Sequence, residues 1–117
     1  MTDSLRATDQ EGASHAVAPR VTLADIEGAI ERRYDFRASA AIEALFKVGQ
    51  SNDPLDVLSV CILVMKNGFT VIGKSAPASP ENFNAEYGRK LAYEDAVRQL
   101  WPLLGFNLRQ KLHEAQQ

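Results

Sequence analysis

VLSVCILVMKNGFTVIGKSAPASPENFNAEYGRKLAYEDAVRQLW, residues 57–101, holds an apolar run, an Asn-Gly turn, a second apolar run, a Pro/Ser-rich corner and one long helical pattern, so most of the core must come from it. Val57 to Met65 is rich in β-branched residues, with Leu58, Val60, Ile62 and Val64 on one side and Val57, Cys61, Leu63 and Met65 on the other. Apolar residues on both sides predict a strand covered on both faces. Asn67-Gly68 then predicts a hairpin, because both central residues of a type I′ turn need positive φ. A two-residue loop sets Lys66 opposite Phe69, Val64 opposite Val71, Leu63 opposite Ile72 and Ile62 opposite Gly73. Gly73 either leaves room for a neighbouring backbone or bound ring, or marks a bulge or strand exit. Past the Pro/Ser-rich corner, Ser79-Pro80-Glu81 combines an N-cap residue, a proline at the first helical position and an acid in the first turn, so a helix should begin there. Phe83, Tyr87, Leu91, Ala92, Ala96, Val97, Leu100 and Leu104 form its drifting apolar stripe. Gly88 inside that helix implies close packing against the sheet or another subunit. Pro102 should stop or kink the helix at Trp101.

Working outward, Thr22-Leu-Ala-Asp25 resembles a capping box with Asp in place of Glu, and predicts a helix from Thr22 to about Arg33 or Tyr34. Ile26, Ala29 and Ile30, with Leu23 beside them, make its apolar face. Between Asp35 and Asp56 the centre SAAIEALFKV has helical propensity but also alternates through Ile42, Ala44, Phe46 and Val48. Strand or mixed structure is expected there. GQSNDP, residues 49–54, marks a surface reversal. Gly105 gives a second break near the C-terminus, followed by a short helix or extended arm over FNLRQKL. Met1 to Arg20 is small and polar without sustained periodicity, and reads as a flexible tail. The expected organisation is a tail over residues 1–20 and one domain over 21–117. The fold class is α+β: a short antiparallel sheet built on the hairpin, packed against a long helix in the C-terminal half and a shorter N-terminal helix.

The chain has 117 residues, the size of one ordinary domain. Thirteen basic against fifteen acidic residues give a net charge of −2. That balance provides no field to gather a nucleic-acid backbone or an anionic membrane, so DNA binding is disfavoured. Cys61 is the sole cysteine. It has no partner for an internal disulfide, and its place in an apolar run makes it a buried small hydrophobe. The longest apolar run is about half what a bilayer requires, and the N-terminus lacks the charged-then-apolar order of a signal peptide. A cytosolic protein without membrane association is expected.

A search for catalytic motifs finds no phosphate-binding Gly-Lys-Ser/Thr loop, dinucleotide fingerprint, histidine pair at helical spacing or nucleophile elbow. Cys61 has no base near it in sequence, and adjacent Glu94 and Asp95 diverge on a helix. The expectation is no enzyme, no metal and no cofactor. What remains is a candidate ligand-binding surface of Asn67, Phe69, Asn82, Arg89 and Tyr93. These residues combine amides, aromatic faces and a guanidinium, the groups that stack a base and hold its phosphates. Arg89 and Tyr93, four apart, share a helical face. Each also has an ordinary structural role: Phe69 in the core, Asn82 at the helix start, Arg89 paired with an acid such as Glu86.

The segments KNGFTVIGKSA (66–76), SPENFNAEYGRKLAYEDA (79–96) and LWPLLGFNLRQKL (100–112) resemble the Gp49-like family of small phage and prophage proteins. The resemblance lies in the ordered recurrence of Asn-Gly-Phe, Asn-Phe, Gly-Arg, Ala-Tyr-Glu-Asp-Ala and Leu-Trp, and extends from about Val21 onward. It implies a phage origin and a non-enzymatic accessory protein that counters host defence in the host cytoplasm. One implied mode is sequestration of a nucleotide-derived immune signal, a cyclic nucleotide or an ADP-ribose derivative. Phe69 or Tyr93 would stack the base, Arg89 would neutralise phosphate, and Asn67 or Asn82 would read polar edges. A homo-oligomer would help enclose such a ligand. The competing mode is inhibition of a host defence complex or nuclease by protein–protein contact.

Overall fold

The computed structural model describes residues 3–48 and 53–117. Among these residues four α-helices and three strands follow one another as α1 (Asp3–His15), α2 (Leu23–Ala29), β1 (Ile30–Arg37), α3 (Ala38–Phe46), β2 (Ser59–Met65), β3 (Thr70–Ser75) and α4 (Ala85–Ala115). The antiparallel sheet has the order β1-β2-β3, and α4 lies across β2 and β3. The α+β architecture read from the sequence is therefore the architecture of the molecule.

β2 is the centre of that arrangement. Ser59, Cys61, Leu63 and Met65 are buried on the face that meets α4, while Val60, Ile62 and Val64 are only half-buried on the other. The strand is thus fully covered on one face, not on both. The hairpin forms at Asn67-Gly68, but with a three-residue loop. Gly68 N donates to Met65 O (2.9 Å) and Met65 N to Phe69 O (2.8 Å), with Gly68 at φ 91°. This is a turn completed by one left-handed glycine rather than a two-residue type I′ turn. The register moves by one residue: Leu63 pairs with Val71, Ile62 with Ile72, and Cys61 with Gly73. Because strand side chains alternate, that slip puts Gly73 beneath α4. A Cβ there would enter the backbone of Ala92 and Ala96. Gly73 therefore admits a neighbouring backbone, one of the alternatives its position offered. Gly88 packs against Ser59 of β2, so its helix meets the sheet.

The flanks depart further from expectation. Thr22 caps α2 through a complete box: Asp25 N donates to Thr22 Oγ1 (3.0 Å) and Thr22 N to Asp25 Oδ2 (2.9 Å). The helix then stops at Ala29, and IERRYDFR becomes β1 instead of its last turn. A central strand needs hydrogen-bonding neighbours on both sides. β3 supplies one, and Tyr34 and Phe36 suit the other. The SAAIEALF segment, read as strand or mixed, is helix α3, whose alanines and leucine follow their intrinsic propensity. Of the reversal expected over 49–54, residues 49–52 lie outside the described residues; Asp53 Oδ1 accepts from Leu55 N (2.8 Å) and starts a 3-10 turn over Pro54–Val57.

The long helix also starts and ends later than its sequence signals. Ser79-Pro80-Glu81 opens a 3-10 turn over Pro80–Asn82 without a side-chain cap bond, and Asn84 caps α4 by accepting from Tyr87 N (2.9 Å). α4 then runs unbroken through Pro102 and Gly105. Arg98, whose carbonyl loses its donor at Pro102, is exposed, so water can serve that carbonyl. Residues read as a flexible tail form α1. Leu5 is 3% exposed within the core, Asp9 accepts from Arg20 Nη1 and Leu23 N (both 3.0 Å), and Ser4 Oγ donates to Glu94 Oε1 (3.3 Å). One buried leucine and these polar ties, with a fourth from Arg98 Nη2 to Ser4 Oγ (3.1 Å), suffice to seat a helix whose own periodicity is weak.

Candidate binding groove

The five expected ligand-binding residues do not converge. Asn67 and Phe69 sit together at the hairpin tip and line a groove of about 720 Å³. Arg89 lines a second, smaller recess of about 440 Å³ with Arg33, Asn84, Glu86, Tyr87 and Lys90. From Arg89 to Leu104, which lines the first groove, α4 rises about 22 Å. Asn82 is exposed in the 3-10 turn and lines neither.

Tyr93 is 6% exposed, and its ring face is already taken: Arg33 Cζ lies 4.1 Å from the ring centroid. Arg33 is held there by a paired contact to Asp35, Nε to Oδ2 at 2.8 Å and Nη2 to Oδ1 at 3.3 Å. Burial raises the Tyr93 phenol's pKa, and the Glu27 charge adds to it. Tyr93 is therefore a core residue roofed by a cation, and a base has no open face to stack on. Below the same pair, burial pushes the Cys61 thiol up to about 12, helped by the Asp35 charge. A thiol so protected is no nucleophile.

The hairpin groove has a different chemistry. Its floor is apolar: Val21 and Ala29 from the α2 region, Met65 and Phe69 from the hairpin, and Leu100, Leu103, Leu104 and Leu108 from α4. Its rim carries Lys66, Lys111 and Arg20, the last ion-paired with Asp9 at 3.0 Å, together with Asp25 and the amides of Asn67 and Asn107. Asn67 Oδ1 accepts from Phe69 N (2.9 Å), which fixes the tip, and Phe69 is 52% exposed, so it is a wall of the groove and not core. An open trough with leucines below and cations at the edge holds an apolar surface flanked by negative charge. The sequence carried a signal for it: Leu100, Leu104 and Leu108 recur every fourth residue, as do Leu103, Asn107 and Lys111, so they share adjacent helical faces. Reading Pro102 and Gly105 as breaks concealed that continuity.

Among the described residues, no group of three His, Cys, Asp or Glu side chains is placed to hold a metal ion, and no helix is long and apolar enough to cross a membrane. Comparison with curated proteins and with solved structures gives no match. A family model described as Phage protein (N4 Gp49/phage Sf6 gene 66) family matches residues 21–112, from just before the capping box to near the end of α4. The match covers the sheet, α2, α3 and every groove residue but Arg20. The chain belongs to this phage protein family.

Proposed function

We propose that the protein acts by binding, without catalysis, as a phage accessory protein that counters a host defence protein in the host cytoplasm by docking one of its segments in the hairpin groove. The observation that carries this reading is the leucine floor on α4 ringed by Arg20, Lys66 and Lys111. An amphipathic helix with apolar anchors at i, i+3/i+4 and i+7 and acidic flanks is complementary to such a trough. Phage origin follows from the family; counter-defence is the role that a small phage binding module of this kind would fill.

The test is selection of helical peptides against the wild-type protein, with Leu104→Asp protein as the counter-selection. Selected peptides should carry acidic residues around spaced apolar anchors. Their binding should weaken with salt and fall about tenfold or more with Lys66→Glu or Lys111→Glu, since each reversal replaces an attraction with a repulsion at the rim. Failure to select any such peptide would overturn the reading.

Sequestration of a cyclic nucleotide or ADP-ribose derivative is the second reading, and exposed Phe69 beside Asn67 favours it. The ligand would stack on Phe69 with Lys66, Lys111 and Arg20 near its phosphates, and Arg89 and Tyr93 would take no part. Native mass spectrometry with a nucleotide panel separates the two: a stoichiometric nucleotide, lost on Phe69→Ala, supports sequestration, and an empty protein removes it.

A further inference from the structure

The two edges of the sheet are treated differently. Along β3, side chains of α4 occupy two of the outward backbone groups: Lys74 N donates to Asp95 Oδ2 (2.9 Å) and Gln99 Nε2 donates to Ile72 O (2.7 Å). That edge is closed to another strand. β1 has β2 on one side and, among the described residues, no strand on the other. Ala38 N donates to Leu58 O (2.9 Å), so by alternation the even-numbered residues of β1 turn their backbone groups toward β2. Those of Arg33, Asp35 and Arg37 face outward.

The sequence of β1, Ile30-Glu-Arg-Arg-Tyr-Asp-Phe-Arg37, is self-complementary about Tyr34. An antiparallel pairing of two copies around a two-fold axis through Tyr34 sets Arg33 and Asp35, which are ion-paired within each chain, opposite Asp35 and Arg33 of the other copy, Arg32 opposite Phe36, Tyr34 opposite itself, and Glu31, at the bulge between Ile30 and Arg32, opposite Arg37. Opposite-charge and cation–aromatic pairs are favourable across strands, whereas like charges in direct opposition are not. Moving the axis one residue either way removes the match: at Arg33 it sets Glu31 against Asp35 and Arg33 against its own copy, and at Asp35 it sets Arg33 against Arg37 and Asp35 against its own copy. The outward backbone groups fall in register as well, because Arg33 and Asp35 are both outward-facing. At the C-terminal end of β1 follows α3, whose only polar residues are Ser39 and Glu43 and which has no buried residue, with Leu45 and Phe46 both well exposed. An apolar helix left uncovered at the end of an open edge suits an interface better than solvent.

We propose that two copies of this chain join through β1, around a two-fold axis at Tyr34, into one continuous six-stranded sheet. The symmetry is isologous and closes at two, because the remaining edge on each copy is blocked by α4. None of the paired residues 31–37 lines the hairpin groove.

Sedimentation equilibrium across the micromolar to millimolar range should show a species of twice the 12.9 kDa chain mass. Glu31→Arg alone, or Arg37→Glu alone, should weaken the dimer about tenfold or more, since each sets like charges opposite in two symmetry-related places. The double variant Glu31→Arg with Arg37→Glu should restore it, because the pairs are then merely exchanged. Amide exchange in the wild-type protein reads the same register without any substitution. The amides of Arg33, Asp35 and Arg37 should slow as concentration rises. A protein that remains monomeric throughout, single reversals without effect, a double reversal that stays folded but does not restore the dimer, or rapid exchange at those three amides in the dimer would each overturn the proposal.

Discussion

At the residue scale, two buried positions set how closely α4 approaches the sheet. A Cβ at Gly73 would meet the backbone of Ala92 and Ala96, which cannot rotate away, whereas at Gly88 it would meet the Ser59 hydroxyl, which can. Gly73→Ala should therefore lower stability by about 2 kcal/mol or more, in the range of overpacked cores. Gly88→Ala should do less harm, because about 1 kcal/mol of helix propensity offsets its crowding. Urea unfolding of the two variants checks the order; equal losses would contradict it. Cys61 gives a pH-dependent consequence. Its folded-state pKa of about 12 stands above the ordinary 9.0, so above pH 9 the unfolded chain releases a proton that the folded protein keeps. Stability should fall by up to about 1.4 kcal/mol per pH unit from this group as pH rises from 9 toward 12. Cys61→Ala should flatten that part of the denaturation profile. Of the five candidate ligand residues, Asn67 and Phe69 lie together because a hairpin tip is a local structure. Arg89 and Tyr93 share a helical face, as their four-residue spacing states, but the sheet decides that Tyr93 is buried and Arg89 exposed.

At the element scale, local chemistry was legible where a few neighbouring residues suffice. The Thr22/Asp25 box forms as read, and Thr22→Ala should destabilise α2 by about 1 kcal/mol, measurable by chemical denaturation. The Asp25 carboxyl is held below the ordinary range chiefly by the Thr22 backbone and hydroxyl, so the contribution of this cap is present above the ordinary carboxylate pKa and is lost as pH falls through the lower folded value. Helix α4 shows the limit of local signals. Pro102 deprives one turn of its hydrogen bond, yet Leu100 on one side and Leu104 on the other pack into or against a single core, and the helix is continuous. Pro102→Ala should raise the thermal midpoint, since an interior proline costs up to about 3 kcal/mol relative to alanine. A lower midpoint would mean that the proline ring itself contributes packing.

At the scale of the whole molecule, α4 extends beyond the sheet and gives the chain a long axis of 59 Å, with Phe106 on the projecting part 76% exposed. α1 binds to the near half of the same helix around Glu94, which is 2% exposed and ion-paired to Arg98 at 3.8 Å, with Oε2 left without a hydrogen bond. A single leucine anchors α1 in the core, so Leu5→Ala should detach it: proteolysis within residues 3–15 should accelerate while exchange at the β2 amides stays unchanged. Loss of protection in β2 as well would show that α1 is integral to the folding unit. What the sequence determined by itself was whatever rests on short-range chemistry: the hairpin glycine, the capping box, a helix after the corner, and an α+β class from apolar periodicities of two and of about 3.6. The tertiary structure alone decided that IERRYDFR is a strand, that the hairpin register slips by one residue, that residues 3–15 dock as a helix, and that Asn67 and Arg89 serve different recesses. The physical reason is common to all four. Each depends on which distant backbone or apolar face a segment meets, and the free energy of that meeting exceeds the fractions of a kcal/mol by which local propensities differ.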